Sequence, residues 1–91
     1  LKENPIDLSY IYPNPASDAI NFTLISAVEI IVDIYIYDSA GRSLINKEMK
    51  IHPGLNNISL EVSAFAQGFY CLKVAPKKSD FYISKQVTIQ Q

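Results

Sequence analysis

The chain has 91 residues, of which 48% are hydrophobic and 19% are charged, and its formal net charge is −1. This length allows one small domain with a single core and is too short for an enzyme with an elaborate cleft. The eight basic and nine acidic residues are scattered, so the sequence predicts no nucleic acid and no anionic membrane as a partner. No apolar run approaches the roughly 20 residues of a transmembrane helix, so no transmembrane segment is predicted.

The first distinctive element is a rigid corner formed by Tyr12, Pro13, Asn14 and Pro15. Each proline fixes its own φ angle, lacks an N–H and pushes the residue before it toward extended geometry. We therefore expect the corner to run extended and unpaired. The side-chain oxygens of Ser17 and Asp18 are expected to accept N–H groups of the turn that follows.

This corner divides the chain into two parts. Residues 1–9 are predicted to be a linker or the remnant of a preceding domain, with a possible processing region. Residues 10–91 are predicted to be the folded domain. Because the chain starts at Leu1 without methionine or a signal-peptide pattern, we expect it to be a fragment of a longer protein.

Alternation of apolar and polar residues dominates the chain, and this period of two predicts strands and no amphipathic helix. Strands are predicted at residues 8–12, 19–24, 29–37, 43–51, 57–62, 69–75 and 81–89. In the third strand Asp33 shares one face with Tyr35 and Tyr37, so the even-numbered apolar face is predicted to be buried. The predicted fold is all-β, a seven-stranded antiparallel immunoglobulin-like β-sandwich.

A hairpin is predicted between the third and fourth strands, at Asp38-Ser39-Ala40-Gly41. Asp38 is typical of the first position of a type I turn, and Gly41 supplies a positive φ at its end. Arg42 then opens the next strand.

Two further connections contain glycine. Pro53 and Gly54 fit the central positions of a type II turn. Gly68 ends an irregular stretch at residues 63–67, and we expect the chain to cross between the two sheets there. Each glycine therefore has a conformational reason for its place.

The sequence predicts no catalytic residue, no metal site and no cofactor, and thus a protein that is not an enzyme. His52 is the only histidine and lies beside a predicted turn, where a solvated position is favoured over a role as base or metal ligand. Cys71 is the only cysteine and has no second thiol for a disulfide or a zinc site. Asp18 and Asp38 fit turn caps better than an acid–base pair.

Two features leave alternatives open. Tyr35, Tyr37 and Tyr82 either line an exposed face that stacks against sugar rings or simply pack across strands. Lys85 shares the parity of the apolar residues in the last strand. It is therefore expected to point inward, to extend its stem along the core edge, or to sit at a bulge. An inward charge would also discourage edge-to-edge aggregation.

Five motifs follow one another in a specific order, namely Tyr12-Pro13-Asn14-Pro15, Asp38 to Arg42 after an apolar strand, Gly54-Leu55-Asn56-Asn57-Ile58, Gly68-Phe69-Tyr70 and Lys85-Gln86-Val87-Thr88-Ile89. This order resembles the C-terminal sorting domain of the type IX (Por) secretion system of Bacteroidetes, in the class, type A, that opens with a Tyr-Pro-Asn-Pro corner. The resemblance covers residues 10–91. Each motif is common alone, and the five in register are specific.

The resemblance implies a sorting function. A cargo domain would precede this one and cross the inner membrane by a separate N-terminal signal, and the outer-membrane translocon would recognise the folded domain in the periplasm. A sortase-like cysteine protease at the cell surface usually removes such a domain and joins the cargo to an anionic lipopolysaccharide. The implied location is the periplasm in transit, then the cell surface or the extracellular space.

The resemblance also implies site residues. The family's final strand is important for export, which assigns Lys85, Val87 and Ile89 to recognition, and Gly68 and Tyr70 match its Gly-x-Tyr element. The protease would cut before or within residues 1–7. Two other functions stay open, namely an immunoglobulin-like adhesion or carbohydrate-binding module and a retained docking domain of the secretion apparatus.

Overall fold

A computed structural model describes residues 5–91 and contains seven strands and no helix. The strands are β1 (Ile6–Leu8), β2 (Ala19–Ser26), β3 (Ile30–Tyr37), β4 (Ser43–Ile51), β5 (Gly54–Glu61), β6 (Gly68–Pro76) and β7 (Ile83–Ile89). All pairings are antiparallel within two sheets, ordered β1-β2-β5 and β4-β3-β6-β7. The predicted all-β sandwich is confirmed.

The order of strands is that of an immunoglobulin-like domain with its fourth strand moved to the second sheet. In the constant-type domain the fourth strand lies beside the fifth. Here β4 lies beside β3 instead, so the chain crosses between sheets after β2, after β4 and after β5. The crossing predicted ahead of Gly68 is therefore observed.

Several strand boundaries were predicted wrongly, including those of the first, fifth and last strands. The first strand is Ile6–Leu8 and not residues 8–12, because beyond Leu8 the N–H of Thr23 bonds to Ser9 Oγ (2.8 Å) in place of a backbone carbonyl. The fifth strand begins at Gly54 and not at residue 57, since its polar residues pair fully with β2. The last strand begins at Ile83 and not at residue 81.

The core lies between the two sheets and takes the even-numbered face of β3, as predicted. Side chains from both sheets are completely or almost completely buried, including Ile20, Phe22, Leu24, Val32, Ile34, Ile36, Leu72, Val74, Val87 and Ile89. Burying apolar side chains of this size stabilises a fold by about 1.5–3 kcal/mol each relative to exposure. Ile6 and Leu8 of β1 also belong to this core, being 5% and 6% exposed.

The predicted hairpin joins β3 to β4. Gly41 has φ +88°, and its N–H donates to the carbonyl of Asp38 (3.0 Å). Asp38 Oδ1 accepts the N–H groups of Ala40 and Arg42, and Asp38 Oδ2 accepts from Arg42 Nε (2.9 Å). One aspartate thus holds the whole turn.

The turn between β4 and β5 carries the chain from one sheet to the other. Gly54 has φ +99°, the sign that a type II turn requires. The Asn56 carboxamide accepts the N–H of His52 (2.9 Å) and donates to the carbonyl of the same residue (2.8 Å). The side chain of Asn56 therefore takes the place of a strand partner for His52 in this turn.

Candidate functional site

The outer edge of β7 is the first candidate, because β7 ends the four-stranded sheet and pairs with β6 on one side only. Near its end, the N–H and carbonyl of Thr88 face away from β6 and bond to Asn14 and Ala16. Backbone groups in a strand face alternate sides. The N–H and C=O of Ser84 and Gln86 therefore face outward too, and β7 has no strand partner there among residues 5–91.

The corner, together with Ala16 directly after it, closes the other part of this edge. Ala16 pairs with Ile89 in a parallel bridge, its N–H donating to the Thr88 carbonyl (2.9 Å) and its carbonyl accepting from Gln90 (2.8 Å). Asn14 Oδ1 accepts the N–H of Thr88 (3.2 Å). The corner thus acts as a short extra strand along the last residues of β7.

The expectation of an unpaired corner is wrong. Tyr12 exchanges both backbone hydrogen bonds with Asn21 (2.9 and 2.8 Å), and both X–Pro peptide bonds are cis. Only the prolines lack an N–H, so the residues that alternate with them keep theirs for pairing. The side-chain roles expected after the corner are also corrected: the backbone carbonyls of Ser17 and Asp18 accept, from Gln91 and Val62.

The side chain of Gln91, which follows the end of β7, forms hydrogen bonds to backbone carbonyls of other segments. Its Nε2 lies near four backbone carbonyls, at 2.9 Å from Phe65 O, 3.2 Å from Ser17 O, 3.3 Å from Val62 O and 3.4 Å from Ser63 O. A carboxamide has two N–H groups, so it shares them among these acceptors. The tail is thereby joined to the β5–β6 connection.

Of the three residues assigned to recognition in the last strand, one is exposed. Val87 and Ile89 are 1% and 0% exposed and belong to the core, whereas Lys85 is exposed. Lys85 lies opposite Leu72 and has the parity of the inner face, but this end of the sandwich is open, since Ile83 is only half-buried. Lys85 makes no ion pair with any residue between 5 and 91.

Gly68 and Tyr70 lie at the start of β6, away from the free edge. The hydroxyl of the buried Tyr70 donates to the carbonyl of Ala66, and its ring stacks on Phe65 with centroids 5.4 Å apart. A tyrosine that bonds to backbone a few residues upstream is the tyrosine corner of immunoglobulin-like domains. The Gly-x-Tyr element therefore holds the crossing between the sheets in place.

Residues 10–90 match the family described as the secretion system C-terminal sorting domain. The chain belongs to this family. It is a C-terminal sorting signal for type IX secretion, which implies a cargo on its N-terminal side, contact with the secretion machinery, and delivery to the cell surface or the extracellular space. No curated protein matches the chain.

Three tyrosines of the sorting domain, Tyr35, Tyr37 and Tyr82, lie near one another on the outer face of the four-stranded sheet. Tyr35 and Tyr37 stack with centroids 5.6 Å apart, and Lys73 Nζ lies 4.6 Å from the ring centroid of Tyr82 and 6.0 Å from that of Tyr35. Stacking between two residues of β3 and the cation–π contacts of Lys73 thus occupy ring surface that a sugar would need.

Three carboxylates of the sorting domain, Asp33, Glu48 and Asp38, have well-defined partners. Asp33, on the outer face, accepts from Lys77 Nζ at 3.0 Å, and Glu48 lies 3.3 Å from the same amine. The hydrogen bond to Asp33, followed by that to Glu48, raises the pKa of Lys77. The backbone N–H of Arg42 is the largest cause that lowers the pKa of Asp38.

Residues 5–91 of the sorting domain contain no cluster of three metal-ligating side chains and no helix that could span a membrane. His52 is exposed and Cys71 is a half-buried free thiol. A shallow pocket of about 220 Å³ opens beside the end of β7 and is lined by Gln67, Gly68, Phe69, Thr88, Ile89 and Gln90. Its volume is below the range of about 300–1,000 Å³ that holds most small ligands.

Sequence reasoning missed four residues of this site, namely Ala16, Ser84, Gln86 and Gln91. Ser84 and Gln86 are polar and alternate with the apolar residues of β7, which is a signal for an edge strand with one wet face. Nothing in the sequence identifies Ala16 or Gln91, because both act through backbone carbonyls distant along the chain.

Proposed function

We propose that the outer-membrane translocon recognises this sorting domain in its folded state, by adding a strand to the free edge of β7 at residues 84–86. The observation that carries the proposal is the set of outward backbone groups on Ser84 and Gln86, with the exposed Lys85 between them. An unpaired edge with free N–H and C=O groups is a template for another strand.

The wider route follows from the same proposal. A separate N-terminal signal carries the cargo into the periplasm, where the domain is already folded when the translocon binds it. A sortase-like protease then removes the domain at the cell surface. The domain itself binds and does no chemistry, in keeping with a family of sorting signals and not of enzymes.

Deleting residues 85–91 is a poor test, because Val87 and Ile89 are core residues and the deletion would unfold the domain. The substitution Gln86→Pro is a more specific test of the edge. The N–H of Gln86 faces away from β6, so proline removes an edge donor without removing a bond between strands. We expect export of a cargo fused to this domain to fall by about ten-fold, the effect of about 1.4 kcal/mol of lost binding.

A matched control exists on the opposite edge of the same sheet. Ile31 faces β6, since its carbonyl accepts the N–H of Lys77 (2.9 Å), so the alternation makes the even-numbered residues of β4 face outward. Asn46→Pro therefore makes the same change on the β4 edge and should leave export unchanged. Thermal unfolding verifies that both variants fold. Normal export of a folded Gln86→Pro domain would contradict the proposal.

The second candidate function is a docking domain that stays attached to the protein. The form of the protein found at the cell surface distinguishes it from a sorting signal that is removed. N-terminal sequencing and mass measurement of the surface form of the full-length protein show whether residues 10–91 are absent, as we propose, or retained.

A further inference from the structure

The free edge of β7 is short, and its length limits what can bind. Asn14 of the corner and Ala16 after it already occupy the N–H and carbonyl of Thr88 and the N–H of Gln90, which leaves the edge from Ile83 to Val87. Five residues of strand extend over about 17 Å at roughly 3.3 Å per residue. The partner therefore contributes a short extended segment that ends where Ala16 begins.

Lys85 lies at the centre of this edge. Its side chain is exposed and makes no ion pair with any residue between 5 and 91, although Leu72 directly opposite it is completely buried. A strand that pairs with Ser84 and Gln86 places one of its own side chains next to Lys85. Opposite charges at such cross-strand positions stabilise a sheet and like charges destabilise it.

A second copy of this chain is a poor occupant of the edge. Two free edges that pair antiparallel around the centre of residues 83–87 would place Lys85 directly across from its equivalent. No carboxylate among residues 5–91 forms an ion pair with Lys85 that would compensate this repulsion. A lysine at an edge is one of the ways in which proteins prevent such pairing.

We propose that the segment added to β7 carries an aspartate or glutamate that pairs with Lys85, and that the docked corner sets its register by closing the edge at Thr88. This inference rests on the proposed function and specifies the chemistry of the partner. The backbone groups of Ser84 and Gln86 supply affinity for any strand, and Lys85 selects one with an acidic residue at the central position.

Export of a fused cargo tests the role of the charge. Lys85→Glu should lower export by about ten-fold, Lys85→Gln by less, and Lys85→Arg should retain export within about two-fold. The matched control is Lys47→Glu, since Lys47 is an exposed lysine of the same parity on the other edge strand, opposite Ile34. It should export normally.

A direct measurement uses the 91-residue chain and two synthetic peptides. One has the sequence Thr-Val-Glu-Val-Thr and the other has lysine at its centre. We expect the acidic peptide to shift the amide resonances of Ser84 and Gln86 and to slow their hydrogen exchange, and the basic peptide to have no effect. With Lys85→Glu the preference should reverse.

The outcomes separate this inference from the function on which it rests. If Gln86→Pro stops export while Lys85→Glu exports normally, the edge is the recognition site and the acidic partner is overturned. If both export normally, the proposed function fails together with the inference. Sedimentation of the native chain should show a monomer. A dimer that is lost in Gln86→Pro would make a second copy the occupant and would overturn the acidic partner.

Discussion

Asp38 shows how much of a turn one side chain can hold. Its two carboxylate oxygens accept from the N–H of Ala40, the N–H of Arg42 and the guanidinium of Arg42, at distances of 3.0, 2.9 and 2.9 Å. The roles of Asp38 and Gly41 in this hairpin were predicted from the sequence, because a type I turn favours aspartate at its start and a positive φ at its end favours glycine. The guanidinium contact was not predicted, since it depends on side-chain geometry after the turn has formed.

Acid should weaken the contribution of Asp38 to stability. Its pKa lies below the ordinary value of 3.8 in the native state, chiefly because the N–H of Arg42 donates to the carboxylate. The contribution is therefore complete above the unfolded-state pKa and is lost as the pH falls through the lower native pKa. We expect urea midpoints of the native chain to exceed those of Asp38→Asn at neutral pH, with the gap closing below about pH 3.8. A gap that stays constant in acid would contradict this role.

At the scale of elements, the sequence predicted the strands better than their partners. The alternation in β3 identified its buried face, because Asp33 could not be placed in the core at acceptable cost. Periodicity cannot show that β4 joins β3 and that β5 joins β2. The docking of the corner on β7 was equally hidden, since the two prolines suggested a segment without partners.

Asn14→Ala should loosen this docking without unfolding the sandwich. Asn14 is exposed, and its Oδ1 is the acceptor for the N–H of Thr88. Removing one such bond costs about 1 kcal/mol at most when the freed N–H can reach water. We expect hydrogen exchange at Thr88 to become faster by up to about five-fold, while exchange at Val87 stays slow. Equal acceleration at both amides would mean that the corner supports the whole strand.

At the scale of the whole molecule, residues 1–9, which were predicted to be a linker, include strand β1 (Ile6–Leu8). Residues 1–4 of this stretch lie outside the described residues. Ile6 and Leu8 pack into the core from this stretch. The processing region proposed at residues 1–7 therefore reaches the first strand. A cut ahead of Ile6 would leave β1 with the sorting domain, and a cut after Leu8 would leave it with the cargo.

A chain of residues 10–91 should accordingly be less stable than the full chain. Loss of two buried side chains, at about 1.5–3 kcal/mol each, amounts to about 3–6 kcal/mol, a large share of the 5–15 kcal/mol typical of a domain. Urea unfolding of both chains measures the difference. The double variant Ile6→Ser and Leu8→Ser should reproduce it, and Asp7→Asn, at the exposed position between them, should not. Equal stability of the two chains would support a linker.

The docked corner makes one demand on the synthesis of this protein. The hydrogen bond from Thr88 to Asn14 joins positions 74 residues apart, almost the whole length of the chain. Contacts of such wide separation form only after the intervening chain is available. A cargo whose translation stops early never closes this contact, so it never presents a β7 edge bounded by the corner. Only a chain synthesised through residue 88 therefore presents the complete edge for recognition.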